Sequence, residues 1–84
     1  MSTGRVTFKA LKKRASEINM ERGVEDGTVG ALQVYGDICG YAIDLIISTS
    51  HAVHRLYGID TPKECMRYLN SCQYIGDIER YMEV

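Results

Sequence analysis

Residues 28–57 read TVGALQVYGDICGYAIDLIISTSHAVHRLY, with no proline among them. Apolar residues recur there every three or four positions, the spacing that is typical of one face of an α-helix. One such row contains Leu32, Tyr35, Cys39, Ala42, Ile46, Thr49, Val53 and Leu56, and a second row beside it contains Ala31, Val34, Ile38, Tyr41, Leu45 and Ala52. The pattern predicts one helix from Thr28 to Tyr57, roughly 45 Å long.

The predicted helix is apolar around most of its circumference. Its polar positions fall on one stripe that is roughly 80° wide. They are Gln33, Asp37, Gly40, Asp44, Ser48, His51 and Arg55. A surface helix usually has an apolar face only a little over about 100° wide. We therefore expect other elements to cover this helix from at least two sides, so that it forms the core.

A first, shorter helix is predicted over about residues 7–22. Either Thr7 or Thr3 is a suitable N-cap, and Gly23 stands where a helix commonly ends. Phe8, Leu11, Ala15 and Ile18 form an apolar stripe along it. Its spacing indicates one face packed against the long helix.

A third helix is predicted to begin at Pro62. Thr61 is its N-cap, proline is favoured in the first turn, and Glu64 completes a capping box. This helix ends near residue 75 or continues to residue 82. The sequence thus predicts an all-α fold, a three-helix bundle organised around one long central helix. Residues 1–84 are expected to form a single domain.

The composition is that of an ordinary globular chain. Hydrophobic residues make up 45% and charged residues 25% of the 84 residues, which argues against disorder. A net charge of −1 disfavours nucleic-acid binding over the whole surface. Neither a signal peptide nor an apolar run of bilayer length is visible. We expect a soluble, cytoplasmic protein that does not bind membranes.

No set of residues identifies a reaction. His51 and His54 are three positions apart, but a zinc site needs three or four ligands. Ser48, His51 and Asp44 would lie along one rigid helix, with Asp44 about 10 Å of rise from His51, so they form no catalytic triad. We expect no catalytic residue, no metal site and no cofactor.

The three cysteines are expected to be reduced and buried. Their number is odd and no CxxC pair occurs, which argues against a disulfide framework. Cys39, Cys65 and Cys72 each stand where a small apolar residue would pack on the predicted helices. None has an activating neighbour that the sequence reveals, so none is expected to be a nucleophile.

The long helix also predicts self-association. It is longer than either neighbour, so part of its apolar surface would stay bare, and a two-fold homodimer would cover it. Gly36 and Gly40 would let two helices approach closely. Alternatively, both glycines make room for Tyr35, Tyr41 or a neighbouring helix within the monomer.

Two candidate partner-binding surfaces are visible. The first is the basic face of helix 1, formed by Arg5, Lys9, Lys12 and Lys13. These cations precede Glu17 and Glu21, an order that the helix dipole disfavours by roughly 0.3–1 kcal/mol per well-placed charge. The secondary candidate is the polar stripe of the long helix, with Asp37, Asp44, Ser48, His51 and Arg55. For both sets the alternative is a solvated surface.

Two short motifs resemble a known family. Residues 35–41, YGDICGY, and residues 57–60, YGID, are similar to the later helix of the all-α nucleoside triphosphate pyrophosphohydrolases. The resemblance implies magnesium-dependent hydrolysis of nucleotides. It covers less than a third of the chain, and Val34 stands where the family has a metal-binding glutamate three residues before the aspartate. Helix 1 offers only Glu17 and Glu21.

The sequence favours a small non-enzymatic binding protein that contacts a larger macromolecular partner, as an inhibitor, adaptor or other regulator. An inhibitor encoded by a phage or plasmid is one guess, based on size alone. The partner would be an acidic protein surface or a phosphate-bearing ligand met by the basic face. The alternative function is a nucleotide- or phosphate-binding protein. Metal-dependent nucleotide hydrolysis that is lost in Asp37→Asn would favour that alternative.

Overall fold

A three-stranded antiparallel sheet occupies the middle of the chain. The computed structural model describes residues 6–82, without the side chain of Met82. The helices are α1 (Phe8–Arg22), α2 (Pro62–Asn70) and α3 (Gln73–Met82), and the strands are β1 (Leu32–Asp37), β2 (Gly40–Ile46) and β3 (Val53–Asp60). The strand order in the sheet is β1-β2-β3. The protein is therefore a mixed α/β fold.

The predicted all-α bundle is wrong, because the segment assigned to its long helix forms the whole sheet. β2, with the sequence GYAIDLI, lies in the middle of the sheet, and its last five residues are buried on both faces. A strand buried on both faces is a continuous apolar run and shows no alternation. Periodicity alone does not distinguish such a run from a buried helix. Gly36 and Gly40 also disfavour a helix, by about 1 kcal/mol each relative to alanine.

The first predicted helix is present, and its caps explain its limits. The Thr7 hydroxyl accepts a hydrogen bond from the Ala10 backbone N–H at 3.1 Å. Gly23 follows the last turn with a left-handed φ of 76°, and its N–H donates to the carbonyls of Asn19 and Met20. This is the usual way for glycine to end a helix.

Thr61 caps the next helix as predicted, but Glu64 does not complete a capping box, because the Thr61 backbone N–H donates to Asp60 Oδ1 at 2.7 Å. The helix is also shorter than predicted. The Thr61 hydroxyl accepts from the Glu64 N–H at 3.2 Å. α2 ends at Asn70, and Cys72 adopts a left-handed φ of 66°. A residue in that conformation interrupts a helix. The third predicted helix is therefore two helices, α2 and α3.

Two irregularities in the β2–β3 pairing set which side chains meet across the strands. Tyr41 pairs with Asp60 and Ala42 with Gly58, so one extra residue of β3 bulges there. A second shift lies between Ile43 and Asp44, after which Asp44 is opposite Arg55. Bulges of this kind change the direction of side chains along a strand.

The helices pack against one face of the sheet. Leu11 and Ile18 of α1, Ile43 and Leu45 of β2 and Leu69 of α2 are fully buried in this core. On β3, Tyr57 stacks on Tyr68 of α2, and His54 contacts Tyr81 of α3 in a tilted arrangement. The alternate residues form the opposite face, which we call the open face. It contains Gln33, Tyr35, Ala42, Asp44 and Arg55.

Gly36 serves packing within the monomer. A Cβ atom there would lie 2.9 Å from the Tyr41 ring and 3.1 Å from the Phe8 ring. The rings of Phe8 and Tyr41 contact each other with their centroids 5.7 Å apart. Of the two interpretations of the glycines, room for Tyr41 is the one that the packing supports.

Within residues 6–82, no helix combines the length and the apolar character needed to cross a membrane.

Two substitutions distinguish this fold from a long central helix. Leu45 and Ile38 lie on the same apolar row of the predicted helix, but Leu45 is fully buried and Ile38 is fully exposed in the hairpin turn. We expect Leu45→Ala to lower the free energy of unfolding by about 2–5 kcal/mol. Ile38→Ala should change it by less than about 0.5 kcal/mol. Urea unfolding measures both, and equal losses would contradict the sheet.

Candidate functional site on the open face of the sheet

Asp44 is a buried carboxylate on the face of the sheet that the helices leave uncovered. It is 2% exposed, and its Oδ1 accepts a hydrogen bond from Arg55 Nε at 3.0 Å. A buried charge requires a partner, because burial removes its hydration. Arg55 is that partner, and the hydrogen bond that it donates to Asp44 is the largest cause of the raised pKa of Arg55. The two side chains therefore form a salt bridge on this face.

Arg55 is held by a second contact, with Tyr35. The guanidinium carbon lies 4.8 Å from the centroid of the Tyr35 ring, within the range of a cation–π interaction. The Tyr35 hydroxyl in turn donates to Asp37 Oδ2 at 2.6 Å. Asp44, Arg55, Tyr35 and Asp37 thus form a chain of contacts across all three strands, which we call the open-face network.

Asp37 also organises the hairpin turn between β1 and β2. Its Oδ1 accepts from the backbone N–H of Cys39 at 2.7 Å and of Gly40 at 3.3 Å. The hydrogen bond from Tyr35 and then that from Cys39 hold the pKa of Asp37 below its usual value. Hydrogen bonds to the charged form always act in that direction. Asp37 is therefore a carboxylate at neutral pH.

A second carboxylate, Asp60, lies at the same end of the sheet. Asp37 and Asp60 line one open pocket, which we call the end pocket. Its lining is Asp37, Ile38, Cys39, Gly40, Tyr41, Ile59, Asp60, Thr61 and Pro62. Asp60 accepts from the Tyr57 hydroxyl at 2.9 Å and from the Thr61 backbone N–H at 2.7 Å. Each carboxylate is thus held by a tyrosine from its own strand.

The terminal nitrogens of Arg55 remain available. Its side chain is 40% exposed, and the ion pair with Asp44 uses only Nε. In the part of the chain that the structure describes, neither Nη group donates to a protein acceptor. Guanidinium carries five N–H donors in a fixed plane. The two Nη groups of Arg55 carry four N–H donors, and within residues 6–82 none of them has a protein acceptor.

The sheet brings together three of the five residues of the predicted polar stripe. Asp37, Asp44 and Arg55 belong to the open-face network. Ser48 and His51 lie apart, in the loop between β2 and β3, where the Ser48 hydroxyl is 2.8 Å from that of Ser50. The helical stripe that grouped all five is wrong, since these residues meet through strand pairing.

The basic face of helix 1 lies apart from the open-face network. Lys9, Lys12 and Lys13 are exposed on α1, which packs on the other face of the sheet. The Lys12 ammonium lies 5.1 Å from the centroid of the Phe8 ring. Arg5, the fourth predicted cation, lies outside the described residues. The three lysines thus form a separate exposed surface.

Neither the histidines nor the cysteines form a site. His51 is in the loop, and the His54 ring contacts the Tyr81 ring in a tilted arrangement, with ring centroids 3.6 Å apart. Among residues 6–82, no group of three or more His, Cys, Asp or Glu side chains is placed to hold a metal ion. The prediction of buried thiols is correct only for Cys65, because Cys39 and Cys72 are exposed. Burial raises the pKa of Cys65 to about 11, so this thiol is protonated at neutral pH.

Sequence reasoning missed the tyrosines of the site. Tyr35 was assigned to an apolar row, Tyr57 to the end of the long helix, and Asp60 to the connection after it. One signal was available, since Gln33, Tyr35 and Asp37 are polar or amphipathic at alternate positions, as expected for the solvent side of a strand.

Comparisons with protein families, with curated proteins and with solved structures find no match to this chain. The resemblance to the all-α pyrophosphohydrolases also fails on structural grounds. Residues 35–41 and 57–60 belong to strands and a hairpin turn, whereas that family's motif lies on a helix.

Removing the Tyr35 hydroxyl should change the pKa of Asp37. We expect the pKa of Asp37 to rise in Tyr35→Phe, because the largest cause of its lowered pKa is lost. Carboxyl-carbon NMR titration measures this shift. A depressed pKa in the folded state contributes stability above the unfolded-state pKa, and that contribution disappears as pH falls. The advantage of wild type over Tyr35→Phe should therefore shrink in acid.

Tyr57→Phe is the matched control for this titration, since Tyr57 donates to Asp60. It should leave the pKa of Asp37 unchanged. A Tyr35→Phe variant in which Asp37 titrates as in wild type would contradict the open-face network.

Proposed function

We propose that the protein binds a phosphate-bearing ligand, a nucleotide or a nucleic-acid strand, through Arg55 on the open face. One observation supports this most strongly. Arg55 is fixed by Asp44 at Nε and by the Tyr35 ring, while its two Nη groups face no protein acceptor within residues 6–82. A guanidinium fork fits two phosphate oxygens at once and makes strong, charge-assisted hydrogen bonds.

The fixed position of Arg55 favours binding on energetic grounds. A free arginine side chain loses rotamer entropy when it captures a ligand, at about 0.5–1.5 kcal/mol per immobilised side chain. Here the contacts with Asp44 and Tyr35 have already ordered it. A net charge of −1 does not oppose a local site, because charges beyond about 8 Å are largely screened at physiological salt.

On this proposal the protein is a non-enzymatic binding protein whose ligand carries phosphate. A regulatory role against a larger partner remains part of it, since a nucleic acid is such a partner. Lys9, Lys12 and Lys13 are a second surface for an acidic protein or a phosphate backbone. A reducing, cytoplasmic setting suits the exposed free thiols of Cys39 and Cys72.

The predicted homodimer loses its basis, because it depended on a long helix that does not form. β1 and β3 are the two edge strands of the sheet, and edge strands offer backbone groups for pairing with another chain. Self-association remains a prediction, but the surface first assigned to it, the side of a long helix, does not exist.

The binding proposal is tested with Arg55→Lys, which keeps a positive charge beside Asp44 but removes the planar fork. Fluorescence anisotropy with a labelled oligothymidylate of about ten nucleotides reports strand binding, and competition by ADP reports nucleotide binding. We expect Arg55→Lys to weaken binding about tenfold or more, because hydrogen bonds to charged groups contribute about 1.5–3 kcal/mol each. Circular dichroism verifies that the variant is folded.

Arg67→Lys is the matched control, because Arg67 is exposed on α2 and pairs only with Glu64 at 3.7 Å in the described part of the chain. It should bind like wild type. A third variant, with Lys9, Lys12 and Lys13 changed to glutamate, tests the basic face. If the triple lysine variant loses binding while Arg55→Lys retains it, the ligand binds to α1 and the proposal for Arg55 is wrong.

A second candidate function is metal-dependent hydrolysis of a phosphate ester at the end pocket. The observation that favours it is the presence of Asp37 and Asp60 in one pocket. Mg²⁺ is often bound by one or two carboxylates together with substrate phosphates, so this pair is a sufficient protein contribution.

The hydrolysis candidate predicts cleavage of the same oligonucleotide in the presence of Mg²⁺ or Ca²⁺ and its loss with a chelator. Asp37→Asn and Asp60→Asn should each abolish cleavage, because asparagine keeps one acceptor oxygen for the backbone N–H groups but removes the charge that binds a cation. Glu79→Gln, an exposed position on α3, is the control and should leave cleavage unchanged. If wild type binds the oligonucleotide but does not cleave it, hydrolysis is ruled out and the binding function stands.

A further inference from the structure

The two buried polar residues in residues 6–82 have different surroundings. They are Asn19 and Asp44. Asn19 has a structural role, since its amide binds both the N–H and the carbonyl of Leu32, at 2.8 and 3.1 Å, and also contacts Asp26. The side chain of Asp44 is hydrogen-bonded to Arg55. Asp44 therefore acts through its hydrogen bond with Arg55.

Stability alone gives little reason for a carboxylate at this position. The residues two positions before and after Asp44 on β2, Ala42 and Ile46, lie on the same face and are equally buried, but both are apolar. Replacing a buried ion pair by apolar residues is often neutral or stabilising, because the desolvation cost offsets the Coulomb attraction. A different effect of Asp44 is visible in the geometry, where it fixes the direction of the guanidinium.

The contact at Nε restricts how a ligand is held. An arginine binds a pair of oxygens either through Nε and one Nη or through both Nη groups. Asp44 occupies Nε, and the Tyr35 ring lies against the guanidinium. The edge formed by the two Nη groups is the one left for a ligand. Because guanidinium is planar, its orientation fixes where those oxygens must lie.

We infer that Asp44 is the positioning residue of the phosphate site, holding Arg55 so that the ligand is gripped end-on by two oxygens of one phosphate. This inference rests on the proposed function. Asp44 is buried beneath Arg55 and touches no ligand itself. It acts through the direction of the guanidinium, and Tyr35, hydrogen-bonded to Asp37, contacts the same group with its ring.

The test is a double-mutant cycle in binding, with the labelled oligothymidylate as the probe. Asp44→Asn keeps an oxygen acceptor for Nε but removes the charge. We expect it to weaken binding about tenfold, within the range of couplings measured for contacting residues. In the Arg55→Lys background, the same substitution should have almost no further effect, because the group that Asp44 positions is absent. A purely structural role would reduce affinity equally in both backgrounds.

A second readout does not depend on binding. In wild type the Arg55 Nε–H should give a protected ¹⁵N–¹H NMR signal, because it is bonded to a buried carboxylate. Asp44→Asn should weaken this protection and Asp44→Ala should remove it, whereas the signal of the exposed Arg67 should not change. Urea unfolding identifies any variant that is not folded under the conditions of the measurement.

The outcomes separate the two claims. If wild type binds the probe and Asp44→Asn binds equally well in the wild-type background, Asp44 is not a positioning residue and the phosphate site stands. If wild type binds neither the probe nor ADP, the proposed function is wrong. The NMR signal then decides whether Asp44 orients Arg55, and an unchanged signal in Asp44→Ala overturns the positioning role as well.

Discussion

The ion pair between Asp44 and Arg55 is the contact on which the open face depends. A carboxylate that is 2% exposed requires a cation within hydrogen-bonding distance. Only the irregular pairing of β2 with β3 supplies one, because the shift after Ile43 places Arg55 opposite Asp44. The position of Arg55 then sets its stack on Tyr35, and Tyr35 in turn holds Asp37.

The two faces of the sheet have separate roles. One face packs against the helices and contains the fully buried Ile43 and Leu45. The other carries charged and aromatic side chains that contact one another in a defined order, from the centre of β2 to the hairpin turn. A polar network of this kind restricts side-chain directions more than an apolar surface does. A rigid sheet below it keeps those directions fixed, which is what recognition of a small charged group requires.

Local chemistry could be predicted from the sequence, and the sheet could not. Thr7, Gly23 and Thr61 act as caps because capping depends on a few adjacent residues. β2 was misassigned because burial on both faces removes the alternation by which strands are recognised. For the candidate site, too, the residue types could be predicted from the sequence but their arrangement could not. Asp37, Asp44 and Arg55 were named from their polarity, but the bulges that bring them together, and the tyrosines that hold them, depend on strand pairing.

A double-mutant cycle in stability tests the central claim most directly. Asp44→Leu and Arg55→Leu, singly and together, are compared by urea unfolding. If the two side chains form the ion pair of the open face, Asp44→Leu or Arg55→Leu alone leaves an unpaired charge. The double variant should then be more stable than the sum of the single losses predicts, by about 1 kcal/mol or more. The partial exposure of Arg55 keeps this coupling below that of a fully buried pair. Losses that simply add would contradict the pair and the network that depends on it.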